Sequence, residues 1–268
     1  MTSDPAFVET SSHALFEAAQ SKTQTPAIRQ HKPDMSLADS YAVQASLIER
    51  EIAAGAQQIG WKVGFSARPV MAMLGMSEPV CGVLLDRHIH APSASIPRGT
   101  FTAPRLECEI AFVMAQDLSG ADCSAADVAA ATAYVSPALE IVDTRVLAKD
   151  PASGIGPTAL DMVADNVACG GIVLSEAQHD VSAFDLRRVG VIASLNGEVE
   201  ETGLGASVHG DPSAAVAWLV RTLAARGEGL TAGQTVLSGS LMRHFACPSG
   251  SKVEADFGEF GALNLTFE

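Results

Sequence analysis

The sequence has few aromatic and few basic side chains. Only 5% of its 268 residues are aromatic, and 17 Lys+Arg stand against 31 Asp+Glu, which gives a formal net charge of −14 at pH 7. This shortage of positive charge argues against a nucleic acid or an anionic membrane as a partner. An anionic small molecule remains compatible with it, because a bound divalent cation reverses the local field.

Paired cysteines, long apolar runs and nucleotide motifs are also lacking. The five cysteines are odd in number and none has C-x-x-C spacing, so we expect a reducing cytoplasm and neither disulfides nor zinc. No apolar run approaches the roughly 20 residues of a membrane span, and residues 1–5 carry no basic charge typical of a signal peptide. Neither G-x-x-x-x-G-K-[ST] nor G-x-G-x-x-G occurs, which leaves a nucleotide cofactor without support.

The composition and periodicity of the sequence change after Gln57. Residues 1–56 have helical periodicity, with Ser36 and Asp39 as a capping pair. Residues 57–268 have shorter segments with frequent glycine and β-branched residues. Within them, helices are predicted from Pro69 to Leu74, from Ser124 to about Tyr134 and from Pro212 to Arg226. We therefore predict an α+β fold with a helical N-terminal region and a β-rich catalytic body, integrated into one domain.

Two glutamates share one face of a predicted strand. In the strand 104–113, Glu107 and Glu109 point the same way, about 6–7 Å apart along the chain. Glu140 lies in a similar apolar strand context. They could be surface acids on edge strands, but the apolar flanks favour burial, where unpaired carboxylates are costly. Three such carboxylates predict an oxygen-ligand site for Mg²⁺ or Mn²⁺.

Lys62 is the basic side chain whose setting is most unusual. It lies between Trp61 and Val63, with Gly60 and Gly64 on either side. One interpretation is a strand lysine whose ammonium reaches water along the surface. The other is a lysine beside a metal-bound anion, acting in acid–base chemistry or as an electrostatic clamp.

Several further polar residues have two interpretations each. Ser238 and Ser240 could hold a substrate carboxylate or could belong to an ordinary strand-to-turn junction. Asp143 and Arg145 could pair with each other or could support the metal site from outside its ligands. His244 is a weaker candidate for substrate contact, and His88 and His90 are expected to be exposed to solvent. No local motif decides between these roles.

The motifs combine into an ordered set from about residue 40 to the C-terminus. The set comprises Gly60-Trp61-Lys62-Val63-Gly64, Glu78-Pro79 with Gly82-Val83-Leu84, Pro104-Arg105 with Glu107 and Glu109, Pro137 to Asp143 with Arg145, Asp165-Asn166, Asn196-Gly197 with Glu201-Thr202-Gly203, and Gly239-Ser240. This order resembles the hydratase/decarboxylase branch of the fumarylacetoacetate hydrolase superfamily. Each motif is weak by itself, but the ordered set is fairly specific.

The resemblance implies a mixed, β-roll-like catalytic body. It also implies Mg²⁺ or Mn²⁺ on Glu107, Glu109 and Glu140, a catalytic Lys62, and substrate contacts from the segment that contains Arg105. Homo-oligomers are expected, and in some relatives a complex of hydratase and decarboxylase. Cys81, where the family usually has an aromatic residue, and the segment 242–244 depart from the family pattern and are expected to alter the pocket.

The implied activity is a metal-dependent hydration of a 2-hydroxy-2,4-dienoate to a 4-hydroxy-2-keto acid. The nearest alternative is a 2-oxo-3-enedioate decarboxylase of the 4-oxalocrotonate type, which would use the same metal and lysine. A hydrolase of acylpyruvates is disfavoured because the His-x-x-Glu pair common in hydrolase relatives is lacking. A non-catalytic partner of a sister enzyme is a further alternative, against which the intact set of Lys62 and three glutamates argues.

Overall fold

The structure is a computed structural model that describes residues 3–97 and 99–268. Its α-helices are α1 (Pro5–Ser21), α2 (Leu37–Ala53), α3 (Arg68–Leu74), α4 (Ala125–Ala131), α5 (Ala159–Ala164) and α6 (Pro212–Ala224). Its strands are β1 (Gln58–Gly64), β2 (Val80–Leu85), β3 (Ile89–His90), β4 (Ser95–Ile96), β5 (Arg105–Met114), β6 (Thr132–Val142), β7 (Cys169–Leu174), β8 (Gly190–Leu195), β9 (Glu198–Leu204), β10 (Thr235–Ser240), β11 (Phe245–Ala246), β12 (Lys252–Asp256) and β13 (Ala262–Phe267). The α+β prediction is confirmed.

The larger sheet forms the centre of the β-rich body. Its strands run in the order β2-β1-β10-β5-β6-β7-β3, with β11 added beside β5. The β1–β10 and β3–β7 pairs are parallel and the others are antiparallel. The sheet curls so that β2 contacts β7, which confirms the mixed, roll-like body. Small and branched side chains fill the inside of the curl, namely Leu84, Ala111, Ala138, Ile172 and Leu237.

The smaller sheet covers the outer face of the roll. Its strands run in the order β4-β13-β12-β8-β9, and a hairpin at Asn196-Gly197 joins β8 to β9 with positive φ at both turn residues. Alternate apolar residues such as Val253 and Leu265 pack with Leu106 of β5 and Trp218 of α6 in one continuous core. This core fixes β5 from outside, so that the opposite face of β5 is presented to the inside of the roll.

The N-terminal helices pack on each other and on the body. The Asp4 side chain accepts the Ala6 N–H at the start of α1, and Ser36 and Asp39 form the predicted capping box of α2. Leu15 and Val43 share an apolar cluster with residues of the body, including Val146 and Ala164. This shared cluster supports the proposal of one integrated domain, and the division at residue 56 remains a prediction.

Two findings concern helix limits and membrane spans. The helix predicted from Ser124 to about Tyr134 ends at Ala131, and Thr132 already belongs to β6. The cause is the pairing of Tyr134 with Val113 of β5, since aromatic and β-branched residues pack well on a sheet. Among the residues described, no helix has both the length and the apolar character needed to span a bilayer.

The capping box of α2 gives the first testable prediction. Replacing Ser36 by Ala removes the acceptor for the Asp39 N–H and should lower the free energy of unfolding by about 1 kcal/mol. Urea denaturation followed by circular dichroism measures the change. Ser77→Ala is the control, because Ser77 is exposed in a turn, and it should leave the urea midpoint unchanged. Equal midpoints for both variants would remove the cap from the account of stability.

Candidate functional site

Glu107, Glu109 and Glu140 meet inside the roll. Glu107 of β5 is paired directly with Glu140 of β6, and Glu109 follows two residues along β5 on the same face. One oxygen from each carboxylate lies within 4.8 Å of the others. Glu109 and Glu140 are fully buried and Glu107 is partly buried. The side chains that the sequence predicted to converge therefore do converge.

The carboxylate oxygens are not satisfied by the protein alone. Within residues 3–97 and 99–268, Glu109 Oε1 and Glu140 Oε2 have no hydrogen-bond partner. The other oxygen of Glu109 accepts the Gly239 N–H at 2.7 Å. Buried carboxylates without partners are costly, and oxygen ligands of this kind suit a hard divalent cation. The three glutamates thus fit a divalent metal ion.

Burial raises the pKa of each of the three carboxyl groups. The pKa of Glu140 rises to about 7 because burial outweighs the opposing effect of the Lys62 ammonium. The pKa of Glu109 is raised well above its ordinary value by burial and then by the charges of Glu140 and Glu107. Protons therefore compete with a cation for this cluster.

Lys62 lies against the carboxylates and not in water. Its side chain is 2% exposed, and its Nζ lies 2.7 Å from Glu140 Oε1. Burial lowers the pKa of Lys62, but the charges of Glu140 and Glu107 outweigh burial and raise the pKa above its ordinary value. The interpretation of a strand lysine reaching solvent is wrong, because β1 is covered on both sides. The ammonium also donates to the Val167 carbonyl at 3.1 Å.

Glycines make room for this arrangement. A Cβ at Gly82, paired with Lys62 across β1 and β2, would lie 3.2 Å from Lys62 Cγ and 2.9 Å from the Asn166 carbonyl oxygen. Gly239 lies in a bulge of β10 with φ +115°, and a Cβ there would lie 2.3 Å from Ser66 Oγ. The bulge turns the Gly239 N–H towards Glu109.

The serines beside Gly239 differ in their surroundings. Ser240 is paired with Glu109 across β10 and β5, and its hydroxyl donates to the Met242 carbonyl at 2.8 Å. The Ser238 hydroxyl is fully buried and has no hydrogen-bond partner within the described chain. In this segment, the Gly239 amide is the group that reaches the carboxylates. In the sequence it is recognisable only as a glycine between two serines.

Arg105 lies at the exposed end of the same face of β5. It precedes Glu107 by two residues, and its side chain is exposed. Its Nε donates to His244 Nδ1 at 2.7 Å. β11 pairs with β5 beside this contact, which brings the segment 242–244 to the same edge of the carboxylate cluster.

Asp143 and Arg145 do not pair through their side chains. The Asp143 carboxylate accepts the N–H groups of Thr102 and Ala103, at 3.0 and 2.7 Å, and so holds the segment that leads into β5. Arg145 forms an ion pair with Asp165 and donates to the Cys169 carbonyl at 2.7 Å. An ion pair between the two side chains is therefore not formed, and Arg145 instead donates to the Asp143 main-chain carbonyl at 3.1 Å.

His88, His90 and Cys81 are placed differently from the sequence-based expectation. Both histidines are partly buried, because His90 lies on β3, which pairs with β7, and His88 ends the 3₁₀ turn directly before β3. They line a cavity of about 250 Å³ between the N-terminal helices and the roll, and burial lowers the pKa of His88 to about 3. Cys81 alternates with Gly82 along β2 and packs in the outer core, away from Lys62.

Comparison with known proteins gives one consistent result. The fumarylacetoacetate (FAA) hydrolase C-terminal family matches residues 51–268. The chain is 36% identical over 253 residues to a 2-oxo-hept-4-ene-1,7-dioate hydratase of Escherichia coli, covering 94% of this chain and 95% of that protein. It is 34% identical over 267 residues to a 2-hydroxyhexa-2,4-dienoate hydratase of Comamonas testosteroni, covering 99% of each.

A solved structure shows the same fold over nearly the whole chain. The 4-oxalocrotonate decarboxylase of Pseudomonas putida G7, complexed with magnesium and adipate, superposes with a TM-score of 0.91 at 28% identity, covering 97% of each chain. The match to the family extends over most of the chain and includes every strand that carries the carboxylates, the lysine and the bulge. The chain therefore belongs to the fumarylacetoacetate hydrolase C-terminal family.

Proposed function

We propose that the protein is a metal-dependent hydro-lyase that adds water to a 2-hydroxy-2,4-dienoate to give a 4-hydroxy-2-keto acid. The observation that carries the proposal is the buried cluster of three carboxylates with the Lys62 ammonium 2.7 Å from Glu140. The relatives named as hydratases at 34–36% identity support the same activity.

Glu107, Glu109 and Glu140 are proposed to hold Mg²⁺ or Mn²⁺. Their three negative charges exceed the single charge of Lys62, so a divalent cation would bring the cluster to neutrality. When bound, the cation would supply Lewis-acid polarisation of the carboxylate and keto oxygens of a 2-keto acid. Magnesium in the decarboxylase relative is consistent with this ligand set.

Lys62 is proposed to take part in the proton transfer of the reaction. The reaction requires a proton at the distal carbon of the dienol, which yields the unsaturated ketone to which water adds. The raised pKa of Lys62 keeps it as an ammonium, with its proton directed by Glu140 and by the Val167 carbonyl. A charged donor in a buried site also stabilises negative charge that develops on the substrate oxygen.

Other residues are proposed to bind the substrate or to support the residues of the site. Arg105, at the exposed edge, and the segment of Ser238 and Ser240 are proposed to bind substrate, with the buried Ser238 hydroxyl as a free donor. Asp143 and Arg145 are proposed to support the site by fixing the segments before β5 and after α5. We further propose a cytoplasmic homo-oligomer, alone or in a complex with a sister decarboxylase or hydratase, as the resemblance implies.

A second candidate is a decarboxylase of 2-oxo-3-enedioates. The observation that favours it is the superposition on 4-oxalocrotonate decarboxylase along 97% of the chain. Loss of CO₂ from a keto acid and ketonisation of a dienol both develop negative charge on the same oxygen, so the same carboxylates and lysine serve either reaction. The three carboxylates and Lys62 are therefore compatible with both hydration and decarboxylation.

Removal of the metal tests the site. Protein stripped with a chelator should lose turnover and regain it with Mg²⁺ or Mn²⁺. Because the carboxyl pKa values are raised, protons compete with the ion, and affinity for Mg²⁺ measured by calorimetry should be weaker at pH 6 than at pH 8. Full turnover by metal-free protein would exclude the proposed mechanism.

Lys62→Met tests the proton donor. We expect kcat to fall by about 10²–10⁴-fold, the usual range for lost acid–base help, since methionine keeps much of the side-chain volume without the charge. Lys252→Met is the matched control, because Lys252 is exposed on β12, and it should retain the kcat of the parent protein. An unchanged kcat in Lys62→Met would remove Lys62 from the mechanism.

Substrate choice separates hydration from decarboxylation. A panel of 2-hydroxydienoates with one or two carboxylates is followed by loss of dienol absorbance, and 4-oxalocrotonate is followed by release of CO₂. We expect hydration to have the higher kcat/KM. Faster release of CO₂ than any hydration would assign the chain to the decarboxylases.

A further inference from the structure

The segment Asn166–Ala168 has an unusual backbone next to the candidate site. Asn166, Val167 and Ala168 have φ of +51°, +51° and +54°, and none of them is glycine. This left-handed region disfavours side chains in general and β-branched ones such as valine most strongly. All three residues are buried. Such a conformation persists only where the surroundings impose it, and it is found mainly at functional sites.

The side chain of Asn166 attaches this turn to strand β2. Its Oδ1 accepts the Val83 N–H at 2.7 Å, and its Nδ2 donates to the Val83 carbonyl at 2.8 Å. The two bonds reproduce the pattern by which one strand residue pairs with another. Gly82 allows this approach, since a Cβ there would lie 3.0 Å from Asn166 Oδ1. Asparagine is also among the residues that tolerate a left-handed backbone best.

Both ends of the turn are fixed by other buried groups. Before it, Asp165 is paired with Arg145, and Gln44 of α2 donates to the Val163 carbonyl at 2.8 Å. After it, the chain enters β7, where the Cys169 carbonyl accepts from Arg145. Gln44 of α2, Val83 of β2 and Arg145 after β6 therefore hold the turn in place. Its carbonyl groups consequently have defined directions.

One of those carbonyl groups is directed at Lys62. The Val167 oxygen accepts from Lys62 Nζ at 3.1 Å, while Glu140 Oε1 lies 2.7 Å from the same nitrogen. Two fixed acceptors on different elements restrict a side chain that has four rotatable carbon–carbon bonds. A right-handed backbone at Val167 would turn its carbonyl away from Lys62 and leave the ammonium with the contact to Glu140.

We propose that Asn166 is a positioning residue for Lys62, which it serves by holding the left-handed turn against β2 so that the Val167 carbonyl orients the ammonium. The inference rests on the proposed function, in which Lys62 handles the proton. Among the described residues, the side-chain hydrogen bonds of Asn166 are to Val83 and not to the three carboxylates. Its effect is transmitted through the backbone of Val167.

Asn166→Gly is the direct test, because glycine adopts the left-handed backbone but lacks both bonds to Val83. We expect kcat to fall about 10–100-fold, the order expected when a reacting group is misplaced by about 1 Å, with KM changed less than about twofold. Ala168→Gly is the matched control in the same turn and should keep kcat, because the bonds of Asn166 remain. Equal losses in both variants would overturn the proposal, since they would reflect a loosened turn and not the asparagine.

A double-mutant cycle with Lys62→Met shows whether Asn166 acts through the lysine. In the Lys62→Met background, Asn166→Gly should cause no further loss of the residual turnover. If the loss in the double variant were the product of the losses in the two single variants, the positioning role would be overturned, while Lys62 would stay in the mechanism. An unchanged kcat in Lys62→Met alone would instead defeat the proposed function, so the two failures are distinguishable.

A spectroscopic measurement on the metal-free protein is independent of turnover. With ¹⁵N-labelled lysine, the buried ammonium of Lys62 should give a slowly exchanging signal in the parent protein and in Ala168→Gly, and a shifted or lost signal in Asn166→Gly. An identical signal in all three would overturn the proposal. If Asn166→Gly does not fold, Asn166→Asp, which has the same shape and lacks the Nδ2–H donor, takes its place in the kinetic and spectroscopic tests with the same expectations.

Discussion

The burial of three carboxylates on adjacent strands is the constraint on which the rest of the structure depends. The antiparallel pairing of β5 with β6 sets Glu107 opposite Glu140, and strand alternation adds Glu109 to the same face. Burial raises the pKa of all three carboxyl groups, and the charges of neighbouring glutamates raise those of Glu109 and Glu140 further. The site therefore requires positive charge and directed donors around it.

The surrounding elements supply that charge and those donors. Lys62 comes from β1, which is not a sequence neighbour of either carboxylate strand, and the Gly239 amide comes from a bulge in β10. Glycine at 82 leaves space for the lysine stem, and glycine at 239 allows a backbone angle that brings its N–H to Glu109. The helical N-terminal region contributes as well, since Gln44 of α2 binds the Cys81 and Val163 carbonyls beside the site. The body and the helices are thus joined by buried polar bonds as well as by apolar packing.

The chemistry of the site is less specific than its geometry. A buried carboxylate cluster that holds a cation beside an ammonium group, as we propose, would favour any keto acid that develops charge on a chelating oxygen. Hydration and decarboxylation differ in what leaves or adds several bonds away from that oxygen. We therefore propose that the choice between them depends on the shape and charge at the edge of the site, where Arg105 contacts His244. Cys81, although it departs from the family pattern, faces the outer core and does not line this edge.

Sequence alone determined the residue types, the strand alternation and the order of motifs. These were sufficient for the α+β class, the convergence of Glu107, Glu109 and Glu140, and the family, because alternation and capping are local properties of the chain. Only the tertiary structure decided that Lys62 is buried, that the Asp143 carboxylate binds backbone N–H groups while the Arg145 side chain pairs with Asp165, and that β6 begins at Thr132. It also decided the left-handed turn at Asn166, whose side chain forms a pair of bonds to Val83. The partner residue lies 83 positions away, and such long-range contacts leave no periodic trace in the sequence.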